Sequence, residues 1–122
     1  MTNESFVEQL RAAVPEAFTG CAPDEFDDED GALTYPALAH ALFWLDDHAV
    51  KFSWLRRRRG SVRPEFEDVM RRFWTYLERV LEDPGELDAE TLIWIECFEH
   101  DDWTVAERFM GPRTLALRSG LS

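Results

Sequence analysis

Between Pro64 and Glu82, apolar residues fall at Phe66, Val69, Met70, Phe73, Leu77, Val80 and Leu81. That is the i, i+3, i+4, i+7 rhythm of a helix with one buried stripe. A stripe of this length must be covered, so the chain needs partner elements with matching faces. Pro64 opens the helix at a position where a missing N–H costs nothing, and Asp83-Pro84-Gly85 stops it. Trp74 and Tyr76 lie off the stripe. They mark either a second core contact of a central helix or an exposed interface.

The rest of the chain supplies further helical patterns. Asn3 is placed to cap a helix over residues 4–13, with Phe6, Val7, Leu10 and Val14 on one face and Pro15 at its end. Tyr35-Pro36 starts a second helix, in which Leu38, Leu42, Leu45, Ala49 and Phe52 keep one phase toward the arginine run. It reads either as one helix over residues 36–58 or as a helix broken near Asp46-Asp47. Asp88 caps a helix over residues 89–99 that is apolar almost all round and therefore central. Thr104 and Glu107 match a T-x-x-E capping box, and the helix they open ends at Met110-Gly111-Pro112. Leu115 and Leu117 then dock the tail. No alternating strand pattern, repeat or heptad run is visible. The expected fold class is all-α: a compact single-domain bundle of about five helices over residues 1–122, with one long acidic loop over residues 19–34 after the first helix.

Charge narrows the function classes. The 122 residues carry a net charge of −12. The acids are spread widely, but residues 56–79 hold eight arginines and form a basic island. An acidic surface repels nucleic acid and anionic membranes and attracts basic proteins. The N-terminus has no basic-then-apolar leader, and no apolar run approaches the length of a membrane span. The expected location is the cytoplasm, with Cys21 and Cys97 both reduced and Cys97 buried.

The acid run Asp24, Glu25, Phe26, Asp27, Asp28, Glu29, Asp30, Gly31 invites a calcium reading. A calcium-hand loop needs glycine at position six and glutamate at position twelve. With Gly31 at position six, Phe26 and Ala37 fall where carboxylates are required. Starting at Asp28 puts Leu33 in place of the glycine. The calcium hand is therefore excluded, leaving a solvated acidic loop or a loop that binds a basic partner. Asp46-Asp47-His48 and Glu99-His100-Asp101-Asp102 make a metal or acid–base site only if Asp47, His48, His100 and Asp101 converge in space. The histidines show no zinc-ligand spacing, and His40 reads as a satisfied helix histidine. No nucleophile elbow and no phosphate loop is present, and the acids beside Cys97 silence its thiol. The arginine run from Arg56 to Arg59 reads as closing a helix C-terminus, with pairing to the acid loop as a further role. No enzyme, cofactor, metal or nucleic-acid partner is expected.

From residue 64 onward, YLERVLED, then ETLIWIECFEHDDW, then FMGPRTLAL follow in order. With Phe98-Glu99 and Met110-Gly111-Pro112, this order resembles a family of small bacterial helical domains of unknown function. In that family a helix with an FLE-like stretch precedes a Leu-Gly-Pro turn, and some members resemble immunity proteins of polymorphic toxin systems. The resemblance spans roughly residues 33–117 and carries no catalytic motif. It implies a helical fold and an inhibitory binding role. The expected function is thus an acidic binding protein, in concrete form an immunity protein that occludes the active site of a basic toxin domain. Its expected contacts are Asp24 to Asp30, Asp101 and Asp102, with Phe26, Trp44 and Trp103 as aromatic anchors. The alternatives are a self-associating scaffold whose aromatic surplus serves a homodimer, and a metal-dependent enzyme.

Overall fold

The computed structural model describes residues 1–28, 31–53 and 58–120. It is mostly helical, as the stripes require, with helices α1 (Asn3–Ala13), α2 (Thr34–His48), α3 (Glu67–Glu82), α4 (Ala89–Ile93) and α5 (Pro112–Arg118). Single tight turns of helix precede or follow them at Pro15–Phe18, Pro64–Phe66 and Thr104–Phe109. Helix α4 runs on into a widened π turn at Trp94–Phe98.

Helix α3 is the centre. Met70, Phe73, Trp74, Leu77 and Val80 are fully buried, and α1, α4 and α5 all pack on it. Trp74 and Tyr76 are therefore core residues on a second face. The Trp74 ring stacks on Phe98 at 6.0 Å, meets Trp103 edge-on at 5.8 Å, and donates its N–H to Met70 Sδ. The Tyr76 hydroxyl donates to the Phe6 carbonyl at 3.0 Å, so α3 is tied to α1 as well as packed on it. Arg72 makes a second tie. It donates to the Ala13 carbonyl at 2.7 Å, to both carboxylate oxygens of Glu16, and to Asp68 one turn back.

Four local expectations need correction. The cap of α1 is Thr2, not Asn3, because Thr2 and Ser5 exchange hydrogen bonds across the first turn. Helix α2 ends at His48 and does not continue to residue 58. Acids at its C-terminal end oppose the helix dipole, and the chain turns into strand β3 (Val50–Ser53), antiparallel to β4 (Arg58–Val62). The bundle therefore carries a β-hairpin, and Arg58 and Arg59 lie in a strand instead of closing a helix. Val50 and Val62 are opposite each other at its base and both buried, which holds the pair against the bundle. The expected roles of Arg56 and Arg57 lie outside the described residues. The T-x-x-E box does not form either. Trp103 precedes Thr104 with φ of 49°, in the left-handed region, and Glu107 pairs forward with Arg118 at 3.2 Å.

The fourth correction concerns residues 19–34, which are not one long loop. Residues 23–26 form a hydrogen-bonded turn, and β1 (Asp27–Asp28) pairs with β2 (Gly31–Ala32). Glu25 fixes the turn through its own side chain, accepting from Ala22 N at 3.2 Å. Among the described residues, no helix is long and apolar enough to cross a membrane.

Candidate functional site

The acidic turn is anchored by its one apolar residue. Phe26 is 8% exposed, meets the Phe18 ring edge-on at 5.7 Å, and packs against the His40 ring. It is thus a buried post, not an exposed anchor, and Asp24, Glu25 and Asp27 stand exposed around it. Glu29, Asp30 and the side chain of Asp28 lie outside the described residues.

Helix α1 completes the face. A spacing of four residues puts Glu4 and Glu8 on one side of the helix. With Asp27, Val7, Arg11 and Pro23 they line a depression of about 490 Å³. Three carboxylates thus face one arginine. That arginine is already engaged: Arg11 donates to the Ala22 carbonyl at 3.2 Å and lies over the Phe18 ring at 5.3 Å. Among the described residues no ion pair joins Glu4, Glu8 or Asp27. Glu4 and Glu8 were not singled out from sequence, although their i, i+4 spacing opposite Phe6 and Leu10 was the available signal.

The second group of expected contacts is elsewhere. Asp101 and Asp102 shape a tight corner, accepting from Trp103 N at 3.0 Å and Thr104 N at 3.1 Å respectively. The bonds from Thr104 hold the Asp102 carboxyl below its ordinary range, with Arg118 assisting. Trp103 is 3% exposed, so it too is core and not a protruding anchor. Trp44 is half-buried, stacked on His48 at 4.9 Å with Phe66 edge-on at 5.9 Å. Asp101 and Trp103 instead line a depression of about 230 Å³ with Phe43, Asp46 and Glu96. Burial and the neighbouring Glu99 push the Glu96 carboxyl up. Two of the sequence-chosen acids, Asp27 and Asp101, therefore belong to separate depressions with no lining residue in common.

Two catalytic arrangements can be examined directly. His40 Nε2 lies 2.7 Å from the Ala17 carbonyl and 3.7 Å from Cys21 Sγ. A carbonyl only accepts, so Nε2 carries the proton and offers no lone pair to the thiol. Burial and Glu25 raise the Cys21 pKa, so the sulfur keeps its proton and the pair is not an activated nucleophile. Cys97 is buried and raised much further, first by desolvation and then by Glu96. Among the described residues, no three His, Cys, Asp or Glu side chains gather where they could hold a metal ion, so Asp47, His48, His100 and Asp101 do not form the converging cluster.

No protein-family model, no curated protein and no solved structure matches the chain.

Proposed function

We propose that this chain is an acidic binding protein that neutralises a basic partner, and that the partner is a toxin domain whose active-site cleft it occludes. The observation that carries the reading is the face shared by α1 and the acidic turn. Glu4, Glu8 and Asp27 line one depression, and Asp24 and Glu25 are exposed on a turn already folded around Phe26. A preordered acidic surface loses little conformational entropy on docking. It also attracts lysines and arginines from a distance, and steering of this kind raises association rates toward about 10⁸ M⁻¹s⁻¹ at low salt. Clefts that act on nucleic acids or nucleotides are commonly basic, which makes them fitting targets for such a face. The net charge of −12 and the resemblance of residues 33–117 to immunity-type helical domains point the same way.

The test is affinity capture from the native host at low and moderate salt, with the wild-type chain and with Glu4→Lys, Glu8→Lys and Asp27→Lys combined. One basic protein retained stoichiometrically by the wild type, and lost by the variant, supports the reading. Equal retention by both proteins would remove this face from recognition.

A further inference from the structure

The acidic face leaves another surface unexplained. Phe43 on α2 is 75% exposed, the highest value among the large apolar residues described, and Phe52 on β3 is 48% exposed. Both line a depression of about 410 Å³ with the buried Val50 between them in sequence. Apolar rings in water are expensive at about 25 cal/mol per Å², so an exposed pair of this kind is a docking surface in search of an occupant.

The charges around these rings identify the occupant. Asp46 and Asp47 come from the end of α2, Lys51 from β3, and Arg63 from the residue after β4. The lining is therefore neutral, although the whole molecule carries −12. A strongly basic protein gains nothing from docking on Lys51 and Arg63, and an acidic one is repelled by Asp46 and Asp47. A surface that carries both signs beside two aromatic rings is complementary to itself. Under a two-fold axis, residue i of one copy meets residue j of the other, and j meets i.

We infer that the free protein self-associates through this face as a two-fold dimer. The α2 acids of each copy lie against the hairpin bases of the other, and the Phe43 and Phe52 rings meet in the centre. The dimer leaves the depression of Glu4, Glu8 and Asp27 uncovered, because the two share no lining residue. It therefore stands or falls separately from capture of a basic partner.

Salt provides a signature. Two bodies of −12 repel at long range, and added salt screens that repulsion more than it screens charge pairs enclosed at the contact. Self-association thus strengthens as salt rises from about 20 mM to about 150 mM, opposite to the docking of a basic protein.

The experiment is sedimentation velocity on the full chain from about 10 to about 500 µM, at both salt concentrations. The wild type is expected to move from the 14.2 kDa monomer toward twice that mass as concentration rises. Phe43→Ser should weaken association at least tenfold. Asp47→Lys and Lys51→Glu each place like charges across the axis and should each weaken it. An equimolar mixture of those two variants pairs a positive face with a negative one and should associate more tightly than either alone. A wild type that stays monomeric throughout overturns the inference. So does a dimer indifferent to Phe43→Ser, or a mixture no tighter than its components. Circular dichroism of each variant separates loss of the contact from loss of the fold.

Discussion

Glu78 offers the sharpest test of how the C-terminal part is held. It lies on the central helix α3, is 8% exposed, and faces the start of α5. Its carboxylate accepts from Thr114 N and Thr114 Oγ1, both at 2.9 Å, and from Arg113 N at 3.1 Å. The first turn of α5 thus finds its missing acceptors on another helix, where anionic charge also suits the dipole. Gly111 makes room for this: a Cβ there would lie 2.5 Å from Cγ and Oε1 of Glu78. Replacing Glu78 by Ala removes all three acceptors. Arg113 N can turn to water, because that residue is exposed, but Thr114 is fully buried. A buried donor left unsatisfied costs about 1–3 kcal/mol. The Thr114 hydroxyl can recover part of this by rotating to a carbonyl one turn back. The expected loss is about 3 kcal/mol in urea denaturation, with an unchanged m value. Glu78→Gln keeps one acceptor and should lose about half as much, or roughly 1–2 kcal/mol. Gly111→Ala should be destabilising alone and much less so on the Glu78→Ala background, a coupling of at least about 1 kcal/mol. Additive effects, or a Glu78→Ala protein within about 0.5 kcal/mol of wild type, would refute the capping role.

Other outcomes follow from the same geometry. Phe26→Ala should cost about 3–4 kcal/mol and should abolish amide protection at Leu33, whose N–H donates to the Phe26 carbonyl at 2.6 Å. Arg72 donates to Glu16 and holds its carboxyl below its ordinary value of 4.5, against a smaller opposing effect of burial. The stability Glu16 contributes is therefore fully present above pH 4.5 and is lost as pH falls through the depressed folded value. Glu16→Gln should flatten that part of the stability–pH curve. Cys21 should react with a thiol reagent more slowly than a free thiol, and Glu25→Gln should speed it by removing one of the charges that raise its pKa. Cys97, 2% exposed, should label only on unfolding.

What the sequence could convey depended on whether one periodicity dominated a segment. The α3 stripe was readable because its apolar residues repeat at helical spacing through four turns. Trp74 and Tyr76, the residues off that stripe, had two readings, and burial on several sides settles them as core. His40 and Cys97 also read correctly, since a histidine near a free carbonyl and a thiol in an apolar run need no long-range information. The β3–β4 hairpin was hidden because Leu38, Leu42, Leu45, Ala49 and Phe52 keep a helical phase past the point where the helix stops. The better clue was local: Val50-Lys51-Phe52-Ser53 alternates apolar and polar, and Val62 supplies its buried counterpart. Anchors were misjudged for a related reason. Phe26 and Trp103 sit among acids, which suggests exposure, yet each uses those acids to turn the backbone while its ring enters the core. Phe43, the ring that is exposed, lies among alanines and leucines and looks buried. Which acids share a face depends on α1 and the acidic turn meeting in space, and no spacing along the chain encodes that.

The account rests on the face formed by Glu4, Glu8 and Asp27. Its most direct test is the association rate constant with the captured basic partner, measured by stopped flow across a salt series, for the wild type and for Glu4→Lys/Glu8→Lys/Asp27→Lys. Steering by this face predicts a wild-type rate that falls steeply with salt. It also predicts a variant at least about tenfold slower at low salt, with the two curves converging as the charges are screened. Superimposable curves for the two proteins would contradict it, and the acidic turn would then be a folded, solvated surface with no part in recognition.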